Sequence, residues 1–321
     1  MDKNPPTSAS GIHFNPTVSP SLQALLCQSV DYAGLFPPAE LALEPAMQNH
    51  RSYVASDEAW MLNTFVLPVG KFAAATPYLR QFDRQNPIRI SVLSPKTENM
   101  SDFVGKLSST LDAMSQLQNE GDSEVSMVQL EIALPPNCDL EALTRLNDAN
   151  SELGLDVFCE AAPAEAERVI ELLAENNRTA KSFLGYKLRT GGVTAAAFPT
   201  STEIACALVA SARSGVPIKF TAGLHHPVRQ FRDEVKTKMH GFLNVLGAGV
   251  LAAEHSWDQK TTVQMLEDED AGAFAFDQDT FAWREWQISN DSIRARREVV
   301  TSFGSCSFDE PREDLRGLGL L

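Results

Sequence analysis

Gly185-Tyr186-Lys187-Leu188-Arg189-Thr190-Gly191-Gly192 and, one helix-length later, Ile218-Lys219-Phe220-Thr221-Ala222-Gly223-Leu224-His225-His226-Pro227 are the stretches that decide how this chain is read. Each begins as a short apolar run, carries one lysine and ends in Thr and Gly. The lysines stand thirty-two residues apart, the length of one strand–helix unit. Alternate side chains of a strand share a face, so Lys187 goes with Arg189 and Lys219 with Thr221. A lysine inside a parallel barrel is costly unless it is paired or used. The plainer alternative is two solvated lysines beside turn glycines.

Upstream, the same kind of apolar run recurs. Strands are expected at Val30–Pro38, Trp60–Val69, Ile88–Leu93, Val125–Leu134, Leu155–Ala161, Phe183–Leu188 and Pro217–Thr221. Amphipathic helices are expected between them, over Leu41–Ser56, Lys71–Phe82, Ser101–Gln118, Leu140–Leu153, Ala164–Asn176 and Thr200–Ser214. Downstream, Gly241–Ala253 is too short for a bilayer and reads as a buried helix. Ala271–Phe276 is the candidate eighth strand, and Asp291–Thr301 a charged helix. Strands rich in Val, Ile, Leu and Phe, alternating with helices, indicate parallel pairing. The fold class is therefore α/β, a single-domain (β/α)8 TIM barrel. Residues 1–20 read as a flexible leader, 21–288 as the barrel, and 289–321 as a C-terminal helix and tail packed on it. The absence of GxGxxG and GxxxxGK[ST] removes the usual nucleotide signatures.

The 321 residues are 43% hydrophobic and 21% charged, which is ordinary globular composition. A net charge of −15 argues against a nucleic-acid or anionic-membrane partner. Five cysteines, an odd number without a CxxC pair, argue for a reducing compartment and so for a cytoplasmic protein.

Barrel enzymes work at the C-terminal ends of their strands. There the chain offers Glu131 on strand four, Glu160 on strand five, Lys187 and Arg189 on strand six, and Lys219 and Thr221 on strand seven. Each charge interrupts an apolar run, where solvation is not its reason. An ion-pair network used as core filler is the structural alternative. Lysine must lose a proton to attack a carbonyl, and burial beside a like charge lowers its pKa. Thr190, Gly191 and Gly192, ahead of a helix, can present N–H groups to an anion. Glu131, Glu160, His225 and His226 are also metal-ligand types, which leaves a metal-assisted lyase or isomerase as the rival. No metal and no cofactor is required by the first reading.

At this point the chain resembles the deoxyribose-phosphate aldolases, class I aldolases with a (β/α)8 fold. Glu131-Ile-Ala-Leu-Pro135 is similar to that family's strand-four acid, with Glu in place of Asp. Phe158-Cys-Glu160, Lys187-Leu-Arg-Thr190-Gly191, Lys219-Phe-Thr-Ala-Gly223 and Pro87-Ile-Arg-Ile-Ser91 match its strands five, six, seven and three in order. The resemblance spans about residues 87–230. It implies a Schiff base on Lys187, Lys219 lowering the pKa of that amine, and Glu131 in proton transfer. Glu160 is a second shuttle. Phe274-Ala-Phe-Asp277 lacks the family's phosphate-binding glycine and serine, and His225-His226 is foreign to its pattern. The expectation is a sister family that keeps the barrel and changes the substrate. The partner expected is a small anionic carbonyl compound, bound by Arg189, Thr190, Gly191, Gly192, Thr221, His225 and His226. Phe303–Pro311 is read as a lid or a dimer arm, which leaves a homo-oligomer open; in a third reading it makes a non-catalytic binding surface.

Overall fold

In a computed structural model, which describes residues 17–84, 86–119, 125–151, 153–180 and 182–321, the apolar runs become the staves of a closed parallel barrel. Helix α1 (Pro20–Leu26), capped by Ser19, precedes β1 (Val30–Tyr32) and α2 (Leu43–Val54). Then follow β2 (Leu62–Pro68), α3 (Phe72–Leu79), β3 (Ile88–Leu93), α4 (Met100–Asn119), β4 (Val125–Ala133) and α5 (Leu140–Asn150). Next come β5 (Asp156–Glu160), α6 (Ala166–Asn177), β6 (Leu184–Arg189), α7 (Ser201–Ser214) and β7 (Ile218–Thr221). The long connection after β7 holds a hairpin, β8 (Gln230–Arg232) and β9 (Thr237–Met239), and helices α8 (Phe242–His255) and α9 (Gln259–Leu266). It continues with an antiparallel sheet, β10 (Phe274–Phe276), β11 (Thr280–Trp283) and β12 (Trp286–Ser289), and with α10 (Asn290–Arg296). Strand β13 (Val300–Ser305) and helix α11 (Asp309–Gly317) complete the described elements.

Barrel order is β1-β13-β7-β6-β5-β4-β3-β2, and every neighbouring pair is parallel. Staves β4 to β7 turn an apolar face to the surrounding helices. Leu130, Ile132, Val157, Cys159, Tyr186, Leu188, Ile218 and Phe220 belong to the continuous core. The alternate positions of β4 to β7 are Gln129, Glu131, Glu160, Lys187 and Lys219, which point into the barrel and meet there.

Local chemistry sets the helix bounds. In α7, Thr200 and Glu203 form a reciprocal capping box, and Gly215 ends the helix at φ 66°. Ala195–Ser214, which includes α7, is long and apolar enough by composition to cross a membrane. Here α7 packs against α6, α8 and α9. Helix α8 is the buried helix the sequence predicts, with Phe242 to Ala252 all enclosed.

Three expectations need correction. Phe274–Phe276 is not the eighth stave; it belongs to the antiparallel sheet, where Phe276 stacks on Phe281 at 4.8 Å. The barrel is closed by Val300–Ser305, so the barrel does not stop at residue 288 and 289–321 is not an appended tail. That strand escapes an apolar-run search because its inner face carries Ser302 and Gly304. The helix expected over Asp291–Thr301 stops at Arg296, a turn follows, and Val300 starts strand β13. Of the leader, residues 1–16 lie outside the described residues, while Val18 is buried and Ser19 caps α1.

Candidate active site

Five charged side chains form one line across the barrel. Lys187 Nζ lies 2.7 Å from Glu160 Oε2 and 2.7 Å from Glu131 Oε2. The other oxygen of Glu131 takes Lys219 Nζ at 2.7 Å, and Lys219 reaches Asp31 Oδ2 at 3.0 Å. Register explains the line: Glu160 is level with Lys187, and Lys187 with Lys219. Neutral donors and acceptors finish it. Ser91 Oγ donates to Glu131 at 2.7 Å, and Lys219 also donates to Gln129 Oε1 at 2.9 Å. Asp31 accepts from Asn63 at 2.8 Å, Thr64 at 2.6 Å and Ser302 at 2.5 Å. Buried charges persist only when paired and hydrogen-bonded in this way.

Three carboxylates against two ammonium groups leave the line with one net negative charge. Burial alone would push the Lys187 amine down, but Glu131 and Glu160 outweigh it and hold it above the ordinary lysine value. Burial likewise opposes the charge on Lys219, and Asp31 and Glu131 hold that amine up as well. Burial would raise Glu131, and the two lysines hold it well below the usual carboxylate range. The expectation that Lys219 depresses Lys187 is therefore overturned. A carboxylate stands between the amines, and attraction to it outweighs their repulsion.

Above the line opens a cavity of about 220 Å³. Glu131 and Lys187 line its floor, while Lys219 is sealed beneath with no exposed surface. The Glu160 side chain is 18% exposed. Arg189 is exposed at the cavity rim and makes no ion pair among the described residues. Thr221, level with Arg189, lines the cavity, and its hydroxyl is buried without a hydrogen-bond partner among the described residues.

The Thr-Gly turns do other work than expected. The Thr190 hydroxyl donates to the Ala222 carbonyl at 2.6 Å and its N–H to Thr221 at 2.9 Å, so Thr190 ties the two turns together. Helix α7 begins only at Ser201, so Thr190, Gly191 and Gly192 are not its N-terminus. Gly192 does line the cavity. A Cβ on Gly191 would lie 2.8 Å from the Gly223 Cα, so the turns approach as only two glycines permit.

His225 lines the cavity and His226 does not. His225 Nδ1 donates to Glu310 Oε2 at 2.9 Å, and Cys306 Sγ lies 3.9 Å from the same nitrogen. Burial would lower His225, but its hydrogen bonds with Cys306 and Glu310 outweigh this and raise it to about 9. His226 Nδ1 donates to Asp314 Oδ2 at 2.6 Å. Glu310 and Asp314 are four residues apart on α11, one turn of helix, which lets one face serve both histidines. Phe303–Pro311 is thus no free arm: Phe303 and Phe308 are fully buried and Pro311 packs inside. Among the described residues, no group of three or more His, Cys, Asp or Glu side chains is arranged to hold a metal ion.

Asp31, Ser302, Glu310 and Asp314 were not singled out from the sequence as parts of the site. Asp31 obeys the rule that found Glu131, a charge inside an apolar strand, but its strand has only three residues.

No protein-family signature and no curated protein matches this sequence. Among solved structures it is similar to the carboxyl transferase domain of Rhizobium etli pyruvate carboxylase with pyruvate, at 12% identity and a TM-score of 0.45, over 94% of this chain and 48% of that one. A variant of that domain with pyruvate gives 13% identity and the same TM-score, over 94% and 49%. The chain thus spans about half the length of these solved chains.

Proposed function

We propose that the protein is a carbon–carbon lyase of the aldolase type, forming a Schiff base between Lys187 and a small anionic carbonyl compound. The observation that carries this reading is the setting of the Lys187 amine. It lines the cavity and is gripped by two carboxylates at 2.7 Å each. An iminium at that nitrogen is also a cation. The iminium keeps a single N–H, enough for one of the two carboxylates, while the other stays beside it as a counter-charge, which is preorganised electrostatic stabilisation.

Proton removal is the opposing cost, roughly 4–5 kcal/mol at neutral pH for an ordinary lysine and more for one held above it. Glu160 is the acceptor the geometry favours. Transfer from Nζ to its Oε2 gives a neutral amine beside a neutral acid and leaves the net charge of the line unchanged. The amine then adds to the carbonyl, and the proton on Glu160 leaves with the carbinolamine hydroxyl as water. With a β-hydroxy substrate, a base takes the hydroxyl proton, the carbon–carbon bond breaks and its electrons flow into the iminium. The aldehyde departs; the enamine is protonated and hydrolysed. Arg189 and the His225 imidazolium supply the positive ground for the anionic group. The five unpaired cysteines support a reducing, cytoplasmic setting.

The test is borohydride reduction after incubation with small aldehydes and 2-oxo acids, followed by mass mapping. An adduct on Lys187 is expected; an adduct on Lys219, or none on either, would sink the assignment. One observation favours a second reading. Every charge of the line except the Glu160 side chain is nearly inaccessible, as in core filler, and a ligand-binding barrel would need no more.

A further inference from the structure

Resting on the reading of the cavity as a carbonyl site, we infer that its preferred ligand is a carboxylate with an apolar tail, of the class of five- or six-carbon 2-oxo acids, and that sugar phosphates are turned away. The cavity has two unlike walls. On the side of β1 to β3 the lining is Ala33, Phe36, Pro37, Val66 and Leu93, which bring no side-chain donor or acceptor. On the side of β6 and β7, Lys187, Arg189 and Thr221 bring polar groups to the lining beside Gly192, Val193 and Ala222. A polyol lying between them would press hydroxyls against the first wall and lose their water hydrogen bonds without replacement. An alkyl chain gains there instead.

The polar wall fits one carboxylate. Arg189 offers a planar fork with no competing ion pair among the described residues, and a fork matches a carboxylate in two hydrogen bonds. The unpartnered Thr221 hydroxyl stands level with it. Across the turn, His225 Nδ1 is taken by Glu310, and Nε2 has no partner among the described residues. Size agrees: 220 Å³ holds about seven water volumes of ~30 Å³ each, enough for a short oxo acid.

Calorimetric binding of butanoate, pentanoate and 4-methylpentanoate tests this, because none of them has a ketone and none can form an imine. Affinity is expected to rise about threefold to fourfold per added methylene. Arg189→Gln should weaken the whole series about tenfold and keep its slope. Leu93→Asn should flatten the slope; Phe36→Ser, at a half-buried position, serves if the first variant fails to fold. 2-Deoxyribose 5-phosphate should bind more weakly than 4-methylpentanoate. A flat series, or tighter binding of the sugar phosphate, overturns the inference. A steep series with no borohydride adduct upholds it and removes only the Schiff base.

Discussion

Lys187 and Lys219 are register partners on adjacent strands, yet Glu131 keeps them apart by giving each ammonium one of its oxygens at 2.7 Å. The pair is a clamp on a carboxylate rather than two repelling cations. On the proposed chemistry, the burden of activating Lys187 moves from Lys219 to the carboxylates, with Lys187 at the cavity floor and Lys219 sealed beneath it.

Glu131 and Glu160 should therefore respond differently to neutralisation. Glu131→Gln leaves two buried ammonium groups each short of a partner and should cost about 3–5 kcal/mol in urea unfolding. Glu160→Gln leaves Lys187 on Glu131 and touches a partly exposed group, so its stability loss should stay within about 1–2 kcal/mol. Its rate of borohydride-trapped adduct formation should fall at least tenfold. Trapping at the unaltered rate would remove Glu160 as the proton acceptor.

Lys219→Met strands Asp31 and Glu131 without their shared cation and should destabilise by about 3–5 kcal/mol. Adding Asp31→Asn removes one of the two stranded charges while keeping an amide oxygen that accepts from Asn63 and Thr64 and an NH2 that can donate to the Ser302 hydroxyl. The double variant should melt higher than Lys219→Met alone. Simple additivity of the two losses would show that the pair is not coupled.

His225 makes stability fall in mild base. Its pKa rises from 6.5 unfolded to about 9 folded, so its pairing with Cys306 and Glu310 is fully present below the unfolded value. The contribution is lost as pH rises from there through about 9 and amounts to about 3 kcal/mol. Glu310 is held below its ordinary value, chiefly by that hydrogen bond, so the same pairing also weakens in acid as the carboxyl protonates. Unfolding midpoints measured across pH 6 to 9.5 should slope downward (roughly the titration span of a shifted histidine) and flatten in His225→Gln. An unchanged slope in that variant would assign it elsewhere.

Gly223→Ala forces a side chain into φ 77° and against the Gly191 backbone at 2.8 Å. The expected loss is about 1–3 kcal/mol, with looser carboxylate binding because Thr221 and Gly192 both line the cavity. A variant of full stability and affinity would mean that the two turns move independently.

Much of this was readable in the chain because apolar runs and their interruptions are local. Strand β3 falls on the predicted residues, Ile88–Leu93, and Glu131, Glu160, Lys187 and Lys219 do meet in one line. What escaped was set by distance or by a polar inner face. Ser302 and Gly304 disguise β13 as a loop. Glu310 and Asp314 meet His225 and His226 across more than eighty residues, and only their four-residue spacing hints at a shared target. Whether Lys187 is raised or lowered depends on which charge lies between the amines, and that is a matter of register, not of composition.

The lateness of β13 has a consequence for synthesis. Strand β7 ends at Thr221, but the stave that joins it to β1 is not made until Val300–Ser305. While the ribosome adds the intervening hairpin, helices and small sheet, β1 and β7 both carry bare backbone edges. Asp31 and Lys219, on those same edge strands, wait without Ser302. Such open edges invite pairing with other chains, and long-range closure is slow. The nascent protein is thus most exposed to misassembly in this interval, and a chain halted before residue 300 should be bound by chaperones far more than one extended past residue 305.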